Sequence, residues 1–122
     1  QMLARFTQVD YDRELALVAL TPGTARDGRK IVAVARYIRN PDGESAEFAV
    51  VVDDAWQGQG VARALMLALV EAARKAGVAR IHGAVLRSNH GMLRFIESLG
   101  FSVADDPEDP EQVVVSLPLA RV

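Results

Sequence analysis

The sequence predicts a single α+β domain in which helices pack on one sheet. Three short apolar runs come first, the third of them rich in β-branched residues, and the apolar residues then recur with a helical period before further strands. Half of the 122 residues are hydrophobic, and a chain of this length is long enough for one core but too short for two. We therefore expect one domain spanning residues 1–122.

The first half is predicted to form an antiparallel meander. Its strands are the apolar runs at residues 15–20, 31–38 and 46–52, and turn-forming Pro and Gly residues follow the first two. Short links between these runs favour antiparallel neighbours.

The second half is predicted to alternate helices with strands. Apolar residues recur at positions 61, 65, 69 and 73, and Gly77 can cap the C-terminal end of the resulting helix. A strand, a helix and another strand in this order imply a parallel crossover. The remaining predicted elements are a strand at 80–86, a helix from the cap Asn89 to Leu99, a strand from 101, an acidic turn at 105–111 and a strand at 112–119.

The composition excludes several classes of partner. Lys and Arg number 14 against 16 Asp and Glu, and they form no basic stripe, so we expect no nucleic acid. No apolar run approaches the roughly 20 residues that span a bilayer, so we expect a cytoplasmic protein without a membrane partner. The chain has no cysteine, His82 and His90 lie too far apart for helix-spaced ligation, and the acidic turn lacks a calcium-loop pattern; we expect no metal. Each histidine is interpreted as satisfying local hydrogen bonds.

A glycine-containing segment after the third strand predicts an anion site. Here the chain passes through Gln57-Gly58-Gln59-Gly60-Val61-Ala62-Arg63 into the long helix. Unpaired N–H groups and the positive end of the helix dipole meet at such a point, and glycine lets a phosphate approach the backbone. Two other phosphate-binding motifs do not match this segment. A P-loop would need Gly-Lys-Ser/Thr at its end, and a dinucleotide-binding fingerprint would need glycine where this chain has Arg63. Taken alone, the pair of glycines is equally compatible with a plain strand-to-helix turn.

Two motifs resemble those of the GNAT family of N-acetyltransferases. Gln57-x-x-Gly60-x-Ala62 resembles the family signature (Gln/Arg)-x-x-Gly-x-(Gly/Ala) and lies between a strand and a helix, as in the family. Asn89 through Leu99-Gly100-Phe101 resembles a second family motif, in which Asn opens a helix and Gly-Phe closes it.

This resemblance implies a mixed, splayed sheet with acetyl-coenzyme A as co-substrate between the third strand and the strand that starts near Arg80. The pantetheine amides would pair with the third strand, and the pyrophosphate would lie on the glycine segment. Arg63 could contact a phosphate but is equally well explained as an exposed helix residue. Asn89 could reach the cofactor but is also explained as a helix cap. Met92 is interpreted as a core residue. The implied cofactor-binding residues are Val50, Val51, Val52, Gln57, Gly58, Gln59, Gly60, Val61, Ala62, Arg63 and Asn89.

Glu47 is the candidate general base. A lysine amine has a reference pKa of about 10.4, so the enzyme must accept a proton before the amine can attack. Strand alternation places Glu47 beside Ala49 on the face opposite Phe48, although Glu47 could equally be a solvated residue at the strand end. The segment around Glu47 resembles the catalytic strand of family members that use a glutamate.

The acceptor is expected to be a protein lysine. Many relatives that acetylate small molecules carry a tyrosine general acid where this chain has Ile96. The segments at residues 5–19 and 46–50, together with Ala33, Arg36 and Tyr37, resemble the acetyltransferase domain of bacterial protein lysine acetyltransferases. That domain is often fused to a domain like an NDP-forming acyl-coenzyme A synthetase. The implied substrate is a lysine of acetyl-coenzyme A synthetase. The alternatives are a small-molecule amine N-acetyltransferase and a non-catalytic regulatory module that binds acyl-coenzyme A.

The family fold begins with a strand and helices that 14 residues before the first predicted strand cannot supply. We therefore expect an N-terminally truncated fragment of a longer protein, in which Arg5 to Tyr11 preserves the end of the last lost helix. Leu15 to Leu20 would then be an unprotected edge strand, which predicts a homodimer through that strand.

Overall fold

The chain folds into one mixed sheet with two α-helices, as described by a computed structural model over residues 5–10, 13–21, 30–58 and 60–119. The α+β class is confirmed. In these ranges the sheet has seven strands in the order β1-β2-β3-β4-β5-β7-β6. The elements are β1 Arg5–Asp10, β2 Glu14–Leu20, β3 Ile31–Arg39, β4 Ser45–Val52, α1 Val61–Lys75, β5 Arg80–Leu86, α2 His90–Ser98, β6 Ser102–Asp105 and β7 Gln112–Pro118.

The predicted antiparallel meander is confirmed in β2, β3 and β4. Leu17 pairs with Ala35, and Ala35 pairs with Val50, so these residues share one face of the sheet. Ala19, Ala33 and Ala35 on that face are almost fully buried. Their small side chains let α1 pack closely across the three strands.

The expectation that Leu15 to Leu20 lacks a sheet partner is wrong. The backbone of Arg5–Asp10 forms strand β1, not the end of a helix, and pairs antiparallel with β2 from Arg5↔Leu20 to Asp10↔Leu15. Tyr11 lies outside the described residues. The predicted homodimer loses its physical basis, because a chain segment already occupies the hydrogen-bonding edge of β2.

Helix α1 forms where the helical period predicts it. Leu65, Met66, Leu69 and Ala73 recur on one face and are completely buried against the sheet. Gly77 follows the helix with φ +86°, a left-handed conformation that suits glycine after a helix end. No helix in the described ranges combines the length and the apolar character needed to cross a membrane.

The predicted splay of the sheet is confirmed between β4 and β5. These parallel neighbours pair only at Ser45↔Arg80, Ala46↔Ile81 and Glu47↔His82. Beyond Glu47, β4 continues to Val52 with β3 as its partner, whereas β5 continues with β7. A wedge-shaped gap therefore opens in the middle of the sheet. We call its closed end, at Glu47 and His82, the fork.

Candidate functional site

Beyond the fork, the edge of β4 that faces the gap carries backbone N–H and C=O groups that do not pair with β5. Residues 48–52 pair with β3 on one side only, so alternate N–H and C=O groups point into the gap. Five strand residues rise about 16 Å. This edge can pair with an extended, amide-containing molecule laid along it.

Phe48 and Gly83 shape the fork on the helix-covered face. The Phe48 ring lies against β5, where a Cβ added to Gly83 would come within 2.8 Å of Phe48 Cε1. The same ring contacts Phe101, with centroids 5.3 Å apart. Only glycine at position 83 lets the aromatic ring cross under the neighbouring strand, a requirement that the sequence did not reveal.

The N-terminus of α1 forms a candidate anion site, here called the anion cradle, at the far end of the gap. Gly58 and Gly60 have φ values of +81° and +79°, and a Cβ built on either would meet nothing within 4 Å. Gly60 is the N-cap and provides no side-chain hydrogen bond, and the first turn contains no acidic residue. The first N–H groups of α1 and the positive end of its dipole therefore face open space, as a bound phosphate requires.

A cleft of about 450 Å³ joins this cradle to the start of α2. It contains most of the predicted cofactor-binding residues, together with four that the sequence did not indicate, namely Trp56, Gly91, Met92 and Phe95. Among the predicted residues, Gln59 lies outside the described residues. Those that line the cleft are Val52, Gln57, Gly58, Gly60, Val61, Ala62, Arg63 and Asn89.

Val50 and Val51 do not line this cleft. Val50 is half-buried and packs against the core, whereas the Val51 side chain is 68% exposed on the opposite face. The predicted role for both residues uses only their backbone, so the outward direction of the Val51 side chain leaves that role open.

Asn89 combines two functions at the mouth of the cleft. Its side chain accepts a hydrogen bond from Met92 N at 3.1 Å and thereby caps α2, as the sequence predicted. Met92 packs against the core and also lines the cleft, so its interpretation as core was incomplete. The two helices thus turn their N-termini toward the same cleft.

Glu47 lies at the fork on the open face of the sheet. Its side chain is exposed, with Ile38 of β3 and His82 of β5 as its register partners. Ile96, where many relatives carry a tyrosine, is completely buried. That position therefore offers no general acid to the cleft.

A hydrogen-bonded chain of side chains surrounds the closed end of the fork. Asn40 Nδ2 lies 2.8 Å from both Ser45 Oγ and His82 Nε2, and Ser45 Oγ donates to Asp42 Oδ2 at 2.9 Å. Hydrogen bonds from the backbone N–H groups of Ser45 and Glu44, then from the Ser45 hydroxyl, hold the pKa of Asp42 below its ordinary value of 3.8. Local hydrogen bonding of His82 was predicted, but its partner Asn40 was not.

Hydrogen bonds from Arg87 and Gln112 hold the acidic turn after β6 against the sheet. Arg87 donates to Asp105 at 2.6 Å and to the carbonyl of Pro110 at 2.9 Å. Gln112 donates to Asp106, which lowers the pKa of that carboxyl. Within the described ranges, no three His, Asp or Glu side chains are grouped so that they could hold a metal ion.

Comparison with known proteins identifies the family. The chain belongs to the acetyltransferase (GNAT) family, whose model matches residues 2–101. An acetyltransferase of Pseudomonas aeruginosa is 31% identical over 119 residues, covering 97% of this chain and 62% of that protein. Acetyltransferase Pat of Mycolicibacterium smegmatis is 37% identical over 100 residues, covering 81% of this chain and 29% of that protein.

A solved structure agrees with the fold. The GNAT domain of S. lividans PAT superimposes with a TM-score of 0.76 at 28% identity, covering 90% of this chain and 64% of that one. The resemblance to acetyltransferases of the Pat type is thus confirmed in both sequence and fold. The chain spans less than two thirds of the length of each of these three relatives.

Proposed function

We propose that this chain transfers the acetyl group of acetyl-coenzyme A to a lysine side chain of a protein, with Glu47 as general base. The observation that carries the proposal is the parting of β4 and β5 immediately after Glu47, with an anion cradle at the other end of the same gap. A long molecule with phosphates at one end and a reactive group at the other fits this arrangement.

The cofactor is held mainly by backbone groups. The pyrophosphate lies on the N–H groups from Gly60 to Arg63, where the dipole of α1 favours negative charge. The pantetheine amides pair with the unpaired edge at Val50, Val51 and Val52. The thioester then reaches the fork, because the unpaired part of β4 ends there.

Glu47 takes the proton that the reaction releases. The amine nitrogen attacks the thioester carbon, a C–N bond forms, the C–S bond breaks, and the coenzyme A thiolate leaves. Before this attack, the Glu47 carboxylate accepts a proton from the lysine ammonium, directly or through one water, and passes it to solvent. The nitrogen loses its second proton to solvent as the amide forms. Ile96 is a buried aliphatic side chain and cannot donate a proton. The departing thiolate therefore takes its proton from solvent.

A protein acceptor suits the exposure of the base. Glu47 and Ala49 are exposed on the open face, and Val51 extends the same surface. Small-molecule sites are typically concave and enclose most of the ligand. An exposed base on a broad strand surface favours a lysine presented by a second protein, for which an acyl-coenzyme A synthetase is the proposed substrate, given the likeness to Pat-type acetyltransferases.

The test combines an acceptor panel with a change at Glu47. Purified acyl-coenzyme A synthetase and small amines are incubated with acetyl-coenzyme A, while thiol release and acetylated sites are measured. Glu47→Gln should lower kcat by about 100-fold or more and leave acetyl-coenzyme A affinity nearly unchanged. Glu97→Gln, a change of an exposed carboxylate on α2, is the matched control.

The outcomes separate the parts of the proposal. Acetylation of small amines alone would eliminate the protein substrate. Near-normal turnover by Glu47→Gln would remove Glu47 from the mechanism. Tight binding of acetyl-coenzyme A without transfer to any acceptor would refute the enzymatic proposal and favour a regulatory module.

A further inference from the structure

His82 occupies a distinctive place at the fork. It is the last residue of β5 that pairs with β4, and its register partner there is Glu47. On its other side His82 pairs with Ser116 of β7, so Glu47, His82 and Ser116 form one row on the open face. Neighbouring strands lie about 4.8 Å apart, which puts the imidazole within reach of the carboxylate.

The direction of each hydrogen bond behind His82 can be worked out from Asp42. The Asp42 carboxylate is ionised at neutral pH and accepts the only hydroxyl proton of Ser45. Ser45 Oγ must therefore accept from its other neighbour, Asn40. This requirement orients the Asn40 amide with Nδ2, a donor only, toward both Ser45 and His82.

The tautomer of His82 follows from that orientation. Because Asn40 Nδ2 donates, His82 Nε2 must present its lone pair, and the neutral ring carries its proton on Nδ1. The Nε2 atom is thus already engaged and is not the acceptor of a proton from substrate. Nδ1–H remains as a hydrogen-bond donor on the ring beside Glu47.

We propose that His82 is a positioning residue for Glu47, held by Asn40 in the Nδ1–H tautomer so that it donates to the Glu47 carboxylate during acetyl transfer. This inference rests on the proposed function. A donated hydrogen bond stabilises the ionised carboxylate over its protonated form, and it fixes the orientation of an otherwise exposed side chain. The proton on Nδ1 stays in place, while Glu47 takes the amine proton.

The first test reads the tautomer directly. The chain contains two histidines, and His90 is exposed at the start of α2, so His90→Gln assigns the signals. Long-range ¹H–¹⁵N spectra of ¹⁵N-histidine-labelled protein should show His82 protonated at Nδ1. Asn40→Asp replaces the donor by an acceptor and should move the proton to Nε2. A wild-type His82 protonated at Nε2 would overturn the inference.

The second test uses the pH dependence of kcat/KM with the best acceptor. His82→Leu should move the acidic limb to higher pH, because the carboxylate loses its donor. His82→Asn, which retains a side-chain N–H near the position of Nδ1, should restore the wild-type limb, and His90→Gln should leave it unchanged. Circular dichroism checks folding. Among the residues that the structure describes, the charged groups around Glu47 and His82 are Glu14 of β2, Arg36 of β3, Arg80 of β5 and Asp42 of the β3–β4 turn.

The two failures are distinguishable. If wild-type protein acetylates acceptors and the His82→Leu limb coincides with the wild-type limb, the positioning role is wrong and the proposed function stands. If wild-type protein acetylates no acceptor, the proposed function fails and the positioning role with it, while the spectra still decide the hydrogen-bond network.

Discussion

Replacing Gly83 by alanine tests the packing that holds the fork. A Cβ at this position would lie 2.8 Å from Cε1 and 3.1 Å from Cδ1 and Cζ of Phe48. Ordinary contacts begin at 3.4 Å, so the ring must move by several tenths of an ångström. It has little room, because Phe48 is 7% exposed and its ring also packs against Phe101.

The size of the effect follows from two opposing contributions. Gly→Ala in a compatible backbone stabilises by about 0.4–1 kcal/mol, because the unfolded chain loses freedom. Overpacking a buried site costs about 1–3 kcal/mol. We expect Gly83→Ala to lower the free energy of unfolding by about 1–2 kcal/mol, since the methyl group meets an aromatic ring and not the end of a flexible chain.

Urea unfolding combined with a double-mutant cycle provides the assay. Phe48→Leu removes the ring atoms that the new methyl group would touch, so Gly83→Ala should cost less in that background, with a coupling of about 1 kcal/mol or more. The slope of the transition should stay constant in all variants. A Gly83→Ala protein as stable as wild type, or a coupling of zero, would refute the proposed contact.

Two further predictions concern the cradle and the turn beside the fork. Gly60→Ala and Gly77→Ala both place a methyl group at a left-handed residue bordering α1, so each should destabilise the fold by about 1–2 kcal/mol in urea unfolding. Only Gly60→Ala should also weaken the binding of acetyl-coenzyme A, by about tenfold or more in calorimetry. Equal losses of affinity in Gly60→Ala and Gly77→Ala would contradict the cradle. The pKa of Asp42 is lower in the folded state than its ordinary value of 3.8. Its contribution to stability is therefore fully present above pH 3.8 and declines as the pH falls through the folded-state pKa. Asp42→Asn should therefore destabilise the protein more at neutral pH than in acid, and a difference independent of pH would exclude this linkage.

Much of the fold and the backbone geometry of the glycine segment could be predicted because the signals are local. The helical period of α1, the cap Asn89 and Gly77 at the end of α1 each depend on a few consecutive residues, and all lie where expected. The anion cradle belongs to the same class, since a helix N-terminus and glycine together define it.

The edge of the sheet was predicted wrongly for a physical reason. Arg5–Asp10 pairs with Glu14–Leu20, and the resemblance to a longer fold suggested a helix remnant instead. Pairing between strands is set by which hydrogen-bonding edge is available, and that depends on the assembled sheet.

The sequence by itself determined the domain class, the order of its elements from β2 onward, the glycine cradle and the alternation that turns Glu47 away from Phe48, because each follows from the geometry of a short stretch of backbone. Only the tertiary structure decided where β4 and β5 part and why residue 83 is glycine. It alone also brought Asn40 to His82, which are 42 residues apart in the sequence. Contacts of this kind depend on how distant segments pack, and no local period or spacing records that packing.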